Sequence, residues 1–135
     1  MTISFQSTKG VLNGDFVYER AASTLAVPVK AAAQNYLLLS YAKPTTRGDL
    51  LLTALGTDQH DNSLYTWKVD GVTLPISGSA RVGSIHSPFQ LPIPIRVKTN
   101  VQLYVTNNNA VAYPNNGLEP SDAMPYEGVF IGQWA

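Results

Sequence analysis

The chain has 135 residues, 44% of them hydrophobic and 13% charged, and a length of this order predicts one domain spanning residues 1–135. Cysteine is absent, which excludes disulfides, thiolate zinc sites and cysteine nucleophiles. Nine basic and nine acidic side chains give a formal net charge of zero, and no segment concentrates one sign, which argues against nucleic acid or a membrane as partner.

Turn-forming residues divide the chain into short apolar segments. Nine prolines and ten glycines are spread through the sequence, at intervals typical of a sandwich or barrel. Residues 1–10 are expected to be extended, and the alanines after residue 30 allow one helical turn within 29–43. In addition to the two stretches described below, strands are predicted at residues 16–20, 24–29, 36–42, 50–55, 81–85, 110–113 and 126–134. The fold class predicted is all-β, a single antiparallel β-sandwich of jelly-roll or Greek-key type with about eight to ten strands.

The tripeptide Arg47, Gly48, Asp49 is used by some extracellular ligands to bind adhesion receptors. Its charged ends suit a metal-bearing receptor pocket, but Gly-Asp is also ordinary turn chemistry before a strand, and three residues match often by chance. The turn is the favoured interpretation.

The polar run at residues 58–62, DQHDN, gathers Asp58, His60 and Asp61, which are possible ligands of a divalent ion. It lacks the ligand spacing of a calcium loop, so a solvated turn is the favoured interpretation. The second histidine, His86, is interpreted as a hydrogen-bonded structural residue.

The sequence LYTWKVDGVTLPI, residues 64–76, predicts a β-hairpin. Asp70 and Gly71 suit the positive φ angles of a type I′ turn. With that turn fixed, Val69 pairs with Val72, Trp67 with Leu74 and Tyr65 with Ile76, so that large apolar residues share one face.

A long strand is predicted in SPFQLPIPIRVKTNVQLYVTNNN, residues 87–109. Apolar residues alternate with polar residues from Phe89 to Val97, which predicts a continuous apolar face. Pro92 and Pro94 lie on the polar face and lack N–H donors, which predicts an edge facing solvent, a corner or another subunit. After a bend the alternation resumes and turns Tyr104 outward.

Residues 114–126, PNNGLEPSDAMPY, form a polar loop with three prolines. Prolines reduce the entropy lost when a loop docks on a partner, although an exposed loop explains the same composition. Candidate interface residues are therefore Pro92, Pro94, Tyr104, Tyr113, Pro114, Pro120 and Pro125.

The sequence offers little for catalysis. A nucleophile beside a base, paired carboxylates and a phosphate-binding glycine loop are not recognisable, and Ser77, Gly78 and Ser79 read as a turn with no helix after it. No enzyme activity, cofactor or metal is therefore predicted.

The compact, cysteine-free all-β pattern, the low charge and the phrase FQLPIPIRVKTNVQLYVTNNN resemble the small β-sandwich decoration, or cement, proteins of tailed bacteriophage capsids. The resemblance implies a virion protein on the outer capsid surface that binds the major capsid protein and stabilises the shell without catalysis. It also implies a homo-oligomer, with a trimer favoured. Under this interpretation the Pro92 and Pro94 edge and the 114–126 loop lie at an intersubunit or capsid contact.

The alternative is a carbohydrate- or receptor-binding β-sandwich module of a fibre or surface protein. Exposed tyrosine, tryptophan and asparagine side chains would then stack on sugars and hydrogen-bond to them.

Overall fold

The structure is a computed structural model and describes residues 16–58, 60–75 and 84–135. Within these residues the chain forms eight β-strands and one short 3₁₀ turn. The strands are β1 (Phe16–Ala22), β2 (Tyr36–Ala42), β3 (Leu50–Thr57), β4 (Ser63–Val69), β5 (Val72–Thr73), β6 (Phe89–Val97), β7 (Asn100–Asn107) and β8 (Glu127–Trp134), and the 3₁₀ turn is Pro120–Ala123.

The strands form two antiparallel four-stranded sheets. The first has the order β1-β8-β3-β6 and the second the order β2-β7-β4-β5. Strand β1 pairs with β8, β2 with β7, β3 with β6 and β4 with β5, the result of folding one long antiparallel ribbon over on itself. This is the strand order of a jelly roll, which confirms the predicted all-β antiparallel sandwich.

The core lies between the two sheets. In β4 and β7 buried and more exposed residues alternate along each strand, because one face of a strand packs on the core and the other faces outward. Trp67 and Leu103 are fully buried on paired strands of the second sheet, and Phe130 is fully buried on the first. Burial of such side chains contributes about 1.5–3 kcal/mol each.

The β4–β5 hairpin confirms the predicted turn and its register. Asp70 and Gly71 have φ angles of 53° and 83°, and Val69 pairs with Val72. The N–H of Leu74 donates to the carbonyl of Trp67 at 2.9 Å. The predicted partner of Tyr65, Ile76, lies outside the described residues.

Strand β6 lies at the edge of its sheet, as the prolines predicted, but the prediction of a continuous apolar face was wrong. Ile95 pairs with Leu52 and Gln90 with Ala54, so residues 91–94 bulge out opposite a single residue of β3. Proline cannot donate to the ladder, and two prolines so close together favour an interruption over regular pairing. Ile93 is consequently 78% exposed rather than buried.

Two further strand predictions were wrong. Residues 24–29 and 110–113 form only the isolated bridge between Val29 and Tyr113. The allowed helical turn is instead a hydrogen-bonded turn at Ala31 and Ala32, where Ala32 has a φ of 57°. Residues 1–10 and 81–83 lie outside the described residues, and Ser84 and Ile85 are not in a strand.

Candidate functional site

The two ends of the sandwich differ in the length of their connections. The tight-turn end is formed by the connections 43–49, 70–71 and 98–99. The loop end includes the connections 23–35, 58–62 and 108–126, of which the first and the last are the long ones.

Two connections of the loop end are joined to each other by hydrogen bonds. The N–H groups of Val29 and Tyr113 each donate to the other's carbonyl, at 3.0 and 3.1 Å. The N–H of Ser23 donates to the carbonyl of Tyr126 at 2.8 Å, and the N–H of Tyr126 donates to Ser23 Oγ at 2.8 Å. The 23–35 connection is therefore held against the 108–126 connection at its first residue and at its middle.

Asn107, at the end of β7, holds the same two connections together from within. Its side chain is fully buried, and Nδ2 donates to the carbonyls of Lys30 and Val111, both at 3.0 Å. Its Oδ1 accepts from the backbone N–H of Asn109 at 2.9 Å. Because buried carbonyls are costly to leave unpaired, this amide fixes the path of both connections.

His60 supports the loop end with its ring. It is 6% exposed, stacks on Tyr126 with ring centroids 4.2 Å apart, and packs against the tilted ring of Tyr113 at 4.6 Å. Nε2 lies 3.1 Å from the carbonyl of Met124 and 3.2 Å from that of Pro125; because carbonyls only accept, Nε2 carries the proton. Burial lowers the pKa of His60, which favours this neutral form. The prediction of a solvated turn at 58–62 was wrong for His60 and correct for the exposed Asp61 and Asn62.

Below His60, two buried tyrosines continue the support. The hydroxyl of Tyr126 hydrogen-bonds Ser63 Oγ at 2.6 Å, and the Ser63 hydroxyl also donates to the carbonyl of Asp61 at 2.9 Å. The Tyr65 ring lies 6.2 Å from that of Tyr126 between centroids, and burial raises the pKa of Tyr65. The loop end therefore rests on packed aromatic rings that continue into the core.

The 114–126 segment has a defined backbone. The N–H of Asn115 donates to the carbonyl of Asp122 at 2.6 Å, and the N–H of Glu119 donates to the Asp122 carboxylate at 2.9 Å. The Asn115 side chain accepts from the N–H of Gly117 at 2.8 Å. These bonds close the segment on itself around its 3₁₀ turn, so its outward side chains are displayed from a fixed frame.

Exposed aliphatic side chains are concentrated on these two joined connections. Leu118 is 100% exposed, and the others of this group are between 41% and 60% exposed. The group, called the apolar rim below, consists of Leu25, Val27, Val111, Leu118 and Met124. Large apolar side chains exposed on two joined connections make these connections a candidate contact surface for another molecule.

A pair of carboxyl groups lies where β3 ends and β8 begins. Asp58 and Glu127 hydrogen-bond through their side chains, and Arg20 Nε donates to the Glu127 carboxylate at 3.0 Å. Burial, followed by the proximity of Glu127, raises the pKa of Asp58 to about 6. The pair is therefore a titratable group beneath the loop end.

The structure separates the predicted interface residues into three places. Pro92 and Pro94 are exposed on the β6 edge, and Tyr104 lies partly exposed on the outer face of the second sheet, with its hydroxyl donating to Gln102 Oε1 at 3.2 Å. Tyr113, Pro114, Pro120 and Pro125 belong to the loop end. Pro114 is buried and unavailable for direct contact, which is a correction to its prediction, whereas Pro120 is exposed.

The Arg47, Gly48, Asp49 turn uses its charges within the chain. The Arg47 guanidinium lies over the Trp134 ring at 4.2 Å, and Asp49 accepts from Arg96 at 2.6 Å. Both charged ends of the tripeptide are engaged, which supports the favoured interpretation as a turn.

The remaining candidates contribute less to a site. His86 is exposed, and Ser77, Gly78 and Ser79 lie outside the described residues. Within the described ranges, no three His, Asp or Glu side chains come together as a metal site. The described residues also contain no helix with the length and hydropathy required to cross a membrane.

Sequence reasoning missed the apolar rim. Leu25, Val27 and Val111 lie in segments predicted as strands, whereas Leu118 and Met124 stand among polar and turn-forming residues, where neither period of hydrophobic patterning applies. The available signal was an isolated large aliphatic residue in a turn-rich segment, such as Leu118 within NNGLEPS.

Comparison with known proteins gives no family assignment. No protein-family model matches the chain, and no curated protein is significantly similar to it.

Proposed function

We propose that this protein is a non-enzymatic structural protein of a virion, which binds the major capsid protein on the outer capsid surface and stabilises the shell. The observation that carries the proposal is the apolar rim, five exposed aliphatic side chains on two connections held together by backbone and side-chain hydrogen bonds. The jelly-roll strand order supports it, because that architecture recurs in viral capsid domains.

The rigidity of the loop end favours a docking role. Docking of a mobile loop costs the entropy of ordering it, whereas a loop already fixed by Asn107, His60 and its internal hydrogen bonds loses less. The aliphatic character of the rim favours protein over sugar, since sugar sites rely on exposed aromatic faces. Trp67, Tyr65 and Tyr126 are fully buried, and Trp134 lies under Arg47.

The carboxyl pair at the start of β8 is bound by other groups of the same chain. Asp58 and Glu127 bond each other, and Glu127 also binds Arg20. This arrangement favours a structural role for the carboxyl pair over a catalytic one.

The experiment is a binding titration on empty capsids assembled from the major capsid protein of the virion to which this chain is proposed to belong. The proposal expects saturable binding at a fixed ratio of this protein to capsid subunits, measured by co-sedimentation. Binding on a glycan array, without binding to the capsid, would overturn the proposal and support the fibre module.

A further inference from the structure

The fold separates charges that are evenly distributed along the sequence. Among the described residues, the tight-turn end and the three residues on either side of each of its connections hold five basic and two acidic side chains. The basic ones are Lys43, Arg47, Lys68, Arg96 and Lys98, and the acidic ones are Asp49 and Asp70.

The loop end has the opposite balance. Within the same distance of its connections it holds five acidic and two basic described side chains. The acidic ones are Asp58, Asp61, Glu119, Asp122 and Glu127, and the basic ones are Arg20 and Lys30. Although the formal net charge of the chain is zero, its described residues therefore give a basic excess at one end and an acidic excess at the other.

Three basic side chains of the tight-turn end lie around the carboxylate of Asp49. Asp49 binds Arg96 directly, and Lys98 and Lys43 are close enough to lower the pKa of the Asp49 carboxyl further. The second carboxylate of this end, Asp70, accepts hydrogen bonds from the backbone N–H groups of residues 98–100 and from the Thr99 hydroxyl. With five basic side chains against these two carboxylates, the described part of the tight-turn end carries an excess of positive charge.

We propose that the tight-turn end is a docking site for the loop end of a second copy of this chain. Charge complementarity selects this occupant, because the basic excess of the tight-turn end meets the acidic excess of the loop end when two copies meet end to end. Such a contact joins two different surfaces, so it builds either a closed ring or an open chain of copies. The apolar rim becomes covered in the same contact.

The end-to-end contact is inferred from the charges, whereas the proposed function is inferred from the apolar rim. Both place a binding surface at the loop end. A copy whose loop end is covered by a second copy cannot offer that end to the capsid. The end-to-end contact and capsid binding therefore compete.

The experiment uses two charge-reversed variants of the full chain. One carries Lys68→Glu and Lys98→Glu at the tight-turn end, and the other carries Asp61→Lys and Glu119→Lys at the loop end. Self-association is measured by sedimentation velocity at pH 8 and low salt, with circular dichroism to establish that each variant is folded.

The wild-type chain is expected to self-associate, with an affinity falling about tenfold or more as salt is raised to about 0.5 M. Each variant alone should associate at least about tenfold more weakly, because both of its ends carry the same sign. A one-to-one mixture of the two variants should associate again, since the acidic ends of one meet the basic ends of the other.

A monomeric wild-type chain at low salt overturns the inference, as does self-association that survives reversal of the tight-turn end or is not restored in the mixture. The test is separable from that of the proposed function. The variant with the reversed tight-turn end keeps its loop end unchanged and free, so it should bind capsids at least as well as wild type. If it self-associates weakly as expected and also fails on capsids, only the proposed function fails.

Discussion

Replacement of Asp58 by asparagine should stabilise the protein at neutral pH and leave it nearly unchanged in acid. The unfolded chain ionises this carboxyl at its ordinary pKa of 3.8, whereas the folded chain holds the proton up to about 6. Between these values the folded state binds more protons, so wild-type stability falls as pH rises through this window. The asparagine side chain still offers a donor toward Glu127 and carries no charge. The stability of the substituted chain therefore does not fall as the pH rises through this window.

The size of the effect follows from the same two values. A pKa raised from 3.8 to about 6 would correspond to about 3 kcal/mol for a carboxyl fully shielded from water. Asp58 is partly exposed, so screening by solvent reduces the expected gain to about 1 kcal/mol. That gain should raise the melting temperature by about 3 to 4 °C at pH 8.

The assay is thermal unfolding of wild type and Asp58→Asn at pH 4, 5, 6, 7 and 8. The difference in melting temperature should be small at pH 4, grow between pH 4 and 6, and then level off. Asp61→Asn is the matched control, because it removes the same charge from an exposed position three residues after Asp58. A difference that is constant with pH, or a loss of stability at pH 8, would refute the raised pKa of Asp58 in the folded chain.

Two further predictions concern the supports of the loop end and of the first sheet. Asn107→Ala should lower the free energy of unfolding by about 2–3 kcal/mol, because it removes the donor shared by the carbonyls of Lys30 and Val111. Urea unfolding measures this change. A decrease below about 0.5 kcal/mol would contradict the role of the Asn107 amide in holding the two connections. Gly56→Ala should lower the free energy of unfolding by about 2 kcal/mol or more, since its new Cβ would meet the backbone carbonyl of Ser84. Gly48→Ala should leave the free energy of unfolding nearly unchanged, because nothing lies within 4 Å of its Cβ. Equal effects of the two glycine substitutions would contradict the packing of Ser84 on β3.

The sequence predicts the β4–β5 hairpin down to its register because the information is local. Asp70 and Gly71 specify the turn, and the alternation of Trp67 and Val69 specifies the buried face, so the two signals reinforce each other within a few residues. The outward direction of Tyr104 follows from the same alternation.

Strand β6 shows where a local pattern fails. Alternation placed Ile93 in the core, but the ladder with β3 breaks at residues 91–94 because Pro92 and Pro94 cannot donate to it. The alternation of apolar and polar residues predicts which face of a strand is buried only while the strand remains paired in its sheet. Pairing depends on the neighbouring strand. The edge position of β6 was predictable from the prolines, whereas the exposure of Ile93 was not.

The loop end was predictable only in part. The proline-rich segment after Tyr113 was recognised as a candidate contact, but Leu25 and Val27 come next to it through hydrogen bonds at Ser23 and Val29 that no sequence period encodes. The separation of charge between the two ends has the same origin. It depends on which connections the jelly-roll topology brings to the same end, not on any run of like charges.

The central claim is that the apolar rim is the surface that docks. Its most direct test compares the capsid affinities of wild type, Val27→Ser with Leu118→Ser, and Val72→Ser. Val72 is 66% exposed on β5, beside the tight-turn end, and is a matched apolar position outside the rim. Burial of one such side chain contributes about 1–2 kcal/mol, so the double rim substitution should weaken capsid binding by about 30-fold or more, while Val72→Ser changes it by less than about threefold. Unchanged binding of the double rim variant, or an equal loss with Val72→Ser, would contradict the claim.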